Sequence, residues 1–365
     1  MPLLFEPLHL RGVRFPNRIW LSPMCQYSCE AEDGVPHDWH LVHLGAHAQG
    51  GFGLVMSEAV AVTEEGRITA QDAGLWNDEQ ATAWARIVNF VHAMGSTFGF
   101  QIAHAGRKAS TYRGFPGEPR GAVPVDDGGW TTVAPSAIAH HGNPAPRPLS
   151  RAEMDDVQTA FVAAARRADQ VSADVLEIHA AHGYLLHQFL SPLANDRDDE
   201  YGGSFEDRVR FPLEIVEAVR AAWPQHKPLF VRVSATDWLP GGWDIDQTSR
   251  FAGLMKDRGV DLVDVSSGSI APADIPVKRN YQVPLSARIR ADNDLLTAAV
   301  GLVLEPEQAE RILQSAEADA VFLARAALRE PAWPLRAAWE LGLKWDDAPY
   351  PAQYVRGRWD AVPKD

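Results

Sequence analysis

The stretch Leu229–Val265, "LFVRVSATDWLPGGWDIDQTSRFAGLMKDRGVDLVDV", decides the fold. It opens on an apolar run at Leu229–Val233, crosses a connection rich in Gly, Pro and Asp, becomes amphipathic over Ile245–Arg258 and returns to an apolar run at Leu262–Val265. Short apolar runs bounded by turn residues read as buried strands, and apolar residues three and four apart read as a helix. Strand, helix and strand in so short a length make a parallel β-α-β unit, because parallel neighbours need a crossover between them.

The same alternation runs outward in both directions. The other strand candidates are Ile19–Met24, Leu54–Val62, Phe98–Ala103, Val175–His179, Leu295–Val300 and Ala320–Leu323. The helix candidates around them are Asp38–Gln49, Asp78–Met94, Ser150–Val171, Phe205–Trp223, Val283–Arg290, Glu305–Ser315 and Ala332–Leu341, several opened by an Asp or Ser cap or a Pro. Eight strand–helix units predict a closed (β/α)8 TIM barrel over residues 1–365 as a single domain. An open doubly wound sheet fits less well, because no G-x-G-x-x-G follows the first strand.

Three segments stand outside the repeat. "LFEPLHLRGVRFPNR" before Ile19 predicts a short β-hairpin closing the barrel bottom, with Gly12 at its turn. Residues 110–148 lack periodicity and form too long a connection after the third strand to be a simple turn, so they are expected to be an active-site loop. Residues 345–365 form an extended C-terminal tail whose aromatic side chains are expected to dock.

Composition narrows the function. Of 365 residues, 46% are hydrophobic and 22% charged, which excludes disorder and coiled coil. Forty-eight acidic against 34 basic side chains leave a net charge of −14, a balance that repels nucleic acid and anionic membrane. The longest apolar run, Leu295–Leu304, is about half a membrane span, and no basic region with an apolar core opens the chain, so the expected location is cytoplasmic. Cys25 and Cys29 are too few for a disulfide framework or an iron–sulfur cluster.

In a barrel of this kind chemistry sits at the C-terminal ends of the strands. There His179 and His182 can donate to one oxygen, and Tyr184 can supply a proton. The alternatives are satisfied core polar groups or a metal site, but the eighth strand ends in Ala324–Arg325 and offers no further ligand. Gly301 with Ala324 and Arg325 makes an anion cradle in the position where barrels bind phosphate. The bland reading of Arg325 is a surface ion pair. Cys25 can be a nucleophile, a metal ligand, a soft contact to a bound ring or a buried small hydrophobe. Contact to a cofactor is favoured. Arg232 is a buried cation in search of an electron-rich partner and Gln101 offers donor and acceptor, a set that suits a flavin. His37, His40, His43 and His47 lack the spacing of a metal motif and are expected to pack or to cap loops.

The run Glu177–Phe211, "EIHAAHGYLLHQFLSPLANDRDDEYGGSFEDRVRF", resembles the signature of Old Yellow Enzyme-type flavin ene-reductases. "LFEPLHLRGVRFPNRI", "SPMCQY", "QIAHAGRKA", "RVS" and "VGLVLEPEQAERIL" follow the family in matching order, and "SPMCQY" and "QIAHAGRKA" look like its thermophilic-like branch, which includes the xenobiotic reductases. The resemblance implies FMN contacts from Ser22, Pro23, Met24, Cys25, Ala59, Gln101 and Arg232, with the phosphate near Gly301, Ala324 and Arg325. It implies that His179 and His182 hold the substrate oxygen, that Tyr184 donates a proton and that Tyr27 also touches substrate. It further implies NADPH or NADH as hydride donor, a small activated alkene as substrate, and no metal. Arg356 in "QYVRGRW" resembles a tail arginine that reaches a neighbouring subunit's site, which implies a homodimer or homotetramer. Two departures stand out: Ala324 where the family usually has Gly, and Asp207 where it has Asn. A metal-dependent lyase or hydrolase on the same barrel, or a non-catalytic flavin-binding protein, are the rival readings.

Overall fold

A computed structural model describes residues 1–361; the last four residues of the 345–365 tail lie outside the described residues. The chain begins with an antiparallel hairpin, β1 (Leu8–Leu10) and β2 (Val13–Phe15), turning at Arg11 and Gly12. Then come β3 (Ile19–Leu21), α1 (Asp38–Gln49), β4 (Leu54–Ala61), α2 (Asp78–Ala93) and β5 (Thr97–Ala103). After β5 the long connection carries a 3-10 turn at Val125–Asp127 and a two-residue pairing of β6 (Val133–Ala134) with β7 (Arg147–Pro148). The alternation resumes with α3 (Arg151–Gln170), β8 (Val175–Ala180), α4 (Leu185–Leu190), α5 (Phe205–Arg208), α6 (Arg210–Ala222), β9 (Leu229–Ser234), α7 (Ile245–Lys256) and β10 (Leu262–Ser266). It ends with α8 (Val283–Asn293), β11 (Leu296–Ala299), α9 (Pro306–Gln314), β12 (Ala320–Leu323), α10 (Arg325–Arg329) and α11 (Trp333–Glu340).

Strands β3, β4, β5, β8, β9, β10, β11 and β12 pair in parallel and close into a barrel, as the alternation predicts. The lower interior is aromatic. Trp20 lies between Phe15 of the hairpin at 4.9 Å, Phe230 at 5.7 Å and Phe322 at 5.4 Å, so the hairpin plugs the bottom with its own side chains. Trp20 is fully buried, and truncating such a ring costs about 3–5 kcal/mol.

Local departures from the expected elements have physical causes. The first strand stops at Leu21 rather than Met24, since Pro23 has no N–H to give a ladder. The helix expected over Phe205–Trp223 divides at Val209 into α5 and α6; Pro212 has no N–H for the Arg208 carbonyl. Short α4 and α10 come soon after β8 and β12 and carry no long periodic pattern to betray them. The tail is not irregular throughout: it forms 3-10 turns at Ala352–Gly357 and Trp359–Ala361, with Trp359 stacked 5.4 Å from Trp339. Among the described residues no helix is long and apolar enough to cross a membrane.

Candidate active site at the barrel mouth

Strand register builds the site in rows. Ala59 pairs with Gln101 and Gln101 with Glu177; His179 pairs with Arg232 and Arg232 with Asp264. Gln101 Nε2 donates to Glu177 Oε1 at 2.7 Å, which leaves the Gln101 carbonyl oxygen free to accept from elsewhere. Arg232 Nε lies 3.0 Å from Asp264 Oδ2. All four side chains are buried. Desolvation holds both carboxyls above their ordinary range; Asp264 pushes Glu177 further up, while Arg232 partly offsets the rise at each.

His179 ends this row, and its Nδ1 accepts from the Ala181 N–H at 3.3 Å, so the ring proton sits on Nε2. A turn with His182 at φ 57° and Gly183 at φ 72° brings His182 beside it. A Cβ on Gly183 would meet the Ser269 carbonyl oxygen at 2.3 Å, so this close approach requires glycine. His182 Nε2 is 2.7 Å from Ser266 Oγ, and its backbone N–H donates to Ser234 Oγ at 2.9 Å. The His179 ring centroid is 5.1 Å from that of His182 and 5.1 Å from that of Tyr184. Burial, reinforced by Arg232, holds both imidazoles well below their usual pKa, so they are neutral donors. Burial, together with Cys25 and Asp72, raises the Tyr184 phenol, which therefore keeps its proton.

Cys25 and Tyr27 follow β3 and share an apolar cluster with Tyr184, Ile68 and Trp130. Burial, with Asp72 and Glu58 close by, pushes the Cys25 thiol well up, so it remains a thiol and not a nucleophilic thiolate. Glu58 Oε2 accepts from the Gln26 N–H at 3.1 Å while its Oε1 stands 3.3 Å from His40 Nε2, a buried brace beneath the Cys25–Tyr27 segment. The other histidines of α1 cap and pack: His37 accepts from the Trp39 N–H, and His47 spans the carbonyls of His43 and Ala327.

Gly301, Ala324 and Arg325 come together, lining a cavity of about 130 Å³ with Ser266, Tyr281 and Gln282. Gly301 has φ 119°, and a Cβ there would stand 2.9 Å from Gln282 Nε2 and intrude on the cavity. Ala324 has φ −113° and ψ −90°, on the negative-φ side but outside the main α and β regions, and it lines the cradle beside Gly301 and Arg325. Asp207, the other departure, pairs with Arg210 at 2.7 Å. The residues fit a flavin mononucleotide. Ser22 Oγ is buried at the end of β3 without a partner, the Gln101 amide presents an unused acceptor, and the cradle is open.

Arg356 is not brought in; it is exposed in the tail. The sequence gives no role to Glu58 at the end of the second strand, nor to Glu177 and Asp264, each a single acid inside an apolar strand run, nor to Lys108, which sits unassigned in "AHAGRKA".

The sequence matches the NADH:flavin oxidoreductase / NADH oxidase family over residues 3–344. It is 45% identical to an NADPH dehydrogenase of Geobacillus thermodenitrificans over 97% of this chain and 98% of that protein, and 44% identical to an NADPH dehydrogenase of Bacillus subtilis with the same coverage. Morphinone reductase in complex with tetrahydroNAD superposes with a TM-score of 0.78 at 28% identity, covering 94% of this chain and 92% of that one. The Old Yellow Enzyme homologue from Zymomonas mobilis superposes with a TM-score of 0.77 at 26% identity, covering 96% and 99%. The chain therefore belongs to the NADH:flavin oxidoreductase / NADH oxidase family, as an Old Yellow Enzyme-like, NAD(P)H-dependent oxidoreductase with FMN as its cofactor.

Proposed function

We propose that the enzyme reduces carbon–carbon double bonds activated by a neighbouring carbonyl or nitro group: α,β-unsaturated carbonyls and nitroalkenes. The observation that carries this reading is the grouping of two neutral imidazoles and a protonated phenol, with His179 at 5.1 Å from both His182 and Tyr184. The residues that would hold FMN are Ser22, Pro23, Met24, Cys25, Ala59, Gln101 and Arg232, with its phosphate at Gly301, Ala324 and Arg325. Bound there, FMN supplies to the β-carbon a hydride taken from NADPH or NADH.

The chain's own groups do the rest. His179, through its Nε2–H, and His182 donate to the substrate oxygen and stabilise the negative charge that builds on it. Tyr184 passes its phenolic proton to the α-carbon from the opposite face. Tyr27 gives a further substrate contact, and Cys25 touches the ring as a thiol and adjusts its potential. The 110–148 segment covers the mouth as an active-site loop. In a homodimer or homotetramer, the tail carries Arg356 to a neighbouring subunit's site.

The test is anaerobic mixing with NADPH and then with 2-cyclohexenone while the flavin spectrum is followed. Bleaching by NADPH and recovery with the enone are expected, and His179→Ala should slow the recovery about 100–1000-fold. Recovery at the wild-type rate in that variant would remove the histidine assignment. Bleaching without any recovery in the wild type would remove the substrate class.

A further inference from the structure

Lys108 ends the 3-10 turn Gly106–Lys108 that follows β5, and its side chain reaches across the mouth. Its Nζ donates to the carbonyl oxygen of His182 at 2.8 Å and to that of Ser269 at 3.3 Å. The same ammonium stands 5.0 Å from the centroid of the Tyr184 ring. Both carbonyls belong to residues at positive φ, 57° for His182 and 75° for Ser269, so the ammonium ties together two turns whose backbones are unusual for their residue types. One lysine thus joins the loop after β5, the histidine turn after β8 and the loop after β10.

Lys108 is half-buried, and partly withdrawing an ammonium from water has a cost. Burial, with Arg107 beside it, pushes the Lys108 pKa down to about 8, which leaves the group largely charged near neutral pH. Structural bracing of two carbonyls does not by itself call for a charge over a phenol ring. Tyr184 does. In the reaction proposed above, its O–H bond breaks as a C–H bond forms on the α-carbon, and the ring is left as a phenolate until solvent returns a proton. Burial, Cys25 and Asp72 oppose that anion, and Arg232 only partly offsets them. A cation over the face of the ring favours the neutral phenol modestly and the phenolate more strongly.

We propose that Lys108 is a positioning residue for proton delivery: its ammonium, braced on the His182 and Ser269 carbonyls, seats the Tyr184 ring and offsets the negative charge left when the phenolic proton departs. The inference rests on Tyr184 being the proton donor, and the experiment separates the two claims. Holoenzyme reduced with NADPH is mixed with 2-cyclohexenone, and the limiting rate of flavin reoxidation and the half-saturating enone concentration are read separately. The proteins are the wild type, Lys108→Met, Lys108→Arg, Tyr184→Phe and the double variant Lys108→Met/Tyr184→Phe. Lys108→Met should lower the limiting rate about tenfold while leaving half-saturation unchanged, and Lys108→Arg should restore most of it. In the Tyr184→Phe background the Lys108→Met change should cost nothing further, because the anion it offsets no longer forms.

If Tyr184→Phe reoxidises at the wild-type rate, the proton-donor reading fails. If Tyr184→Phe is slow and Lys108→Met adds its full loss to it, the donor stands and the Lys108 proposal is overturned. A loss in Lys108→Met that appears as weaker enone binding with an unchanged limiting rate also overturns it. Should the Met variant fold poorly, Lys108→Gln takes its place in the same cycle, with the same two outcomes.

Discussion

Arg232 and Asp264 face each other across adjacent strands as register partners, with Nε 3.0 Å from Oδ2 and side chains 7% and 0% exposed. The guanidinium that the fifth barrel strand sends into the mouth is thus balanced from its own layer. Neither Asp264 oxygen accepts a hydrogen bond among the described residues, so the pair is held there by charge and packing. Removing one member of a buried ion pair leaves the other stranded, whereas replacing both by apolar groups of similar size often restores stability.

Asp264→Leu is therefore expected to lower unfolding free energy by about 3–5 kcal/mol, and Arg232→Met/Asp264→Leu to regain most of it without regaining turnover. Urea denaturation measures the first and NADPH-dependent enone reduction the second. A double variant as unstable as the single one would mean that the pair is not the unit its geometry suggests.

Gly301→Ala tests the cradle. A Cβ at φ 119° is strained and would stand 2.9 Å from Gln282 Nε2. The expected result is a folded barrel whose FMN dissociation constant rises about tenfold or more, measured by the return of free-flavin fluorescence on dilution. Gly183→Ala, by contrast, should impair folding itself, since its Cβ would collide with backbone at 2.3 Å.

The neutral imidazoles carry a pH signature. Burial sets the folded pKa of His179 and His182 well below the ordinary value, so the unfolded chain binds more protons than the native one in acid. Their contribution to stability is complete above about pH 6.5 and is lost as pH falls below that value. His179→Gln/His182→Gln should flatten the acid limb of a plot of denaturation midpoint against pH. An unchanged limb would show that both rings are charged in the native state.

The contrast between what the sequence revealed and what it hid follows from range. All eight barrel strands were legible because each is a run of apolar residues punctuated by turns, a signal contained within the run itself. His179, His182 and Tyr184 were legible because they stand within a few residues of a strand end. The Gln101–Glu177 and Arg232–Asp264 partnerships were not, since each depends on the register between two neighbouring strands, which neither run fixes by itself. Arg232 was recognised as needing an electron-rich partner, yet nothing in "LVDV" announces that Asp264 meets it. Lys108 was hidden for a different reason: it acts on carbonyl oxygens and a ring face, and neither leaves a residue-type signature.

The tail offers the last test. Trp359 stacks on Trp339 at 5.4 Å with the rings 24° apart, and Arg358 lies 5.0 Å from the centre of Trp345. These contacts hold the Trp359–Ala361 turn against α11, immediately after the Ala352–Gly357 turn that carries Arg356, whose side chain is left exposed. An aromatic pair of this kind is worth about 0.5–1.5 kcal/mol beyond its buried area, enough to hold a short segment but not a domain. Trp359→Ala should therefore speed tryptic cleavage after Arg356 and Arg358 while leaving the melting temperature of the barrel unchanged. If the tail serves a neighbouring subunit, Arg356→Ala should raise the half-saturating enone concentration without altering FMN affinity, and Trp359→Ala should reproduce that defect by releasing the turn that anchors the one carrying Arg356. Unchanged enone kinetics in both variants, with the assembly intact by light scattering, would confine the tail to packing on its own barrel.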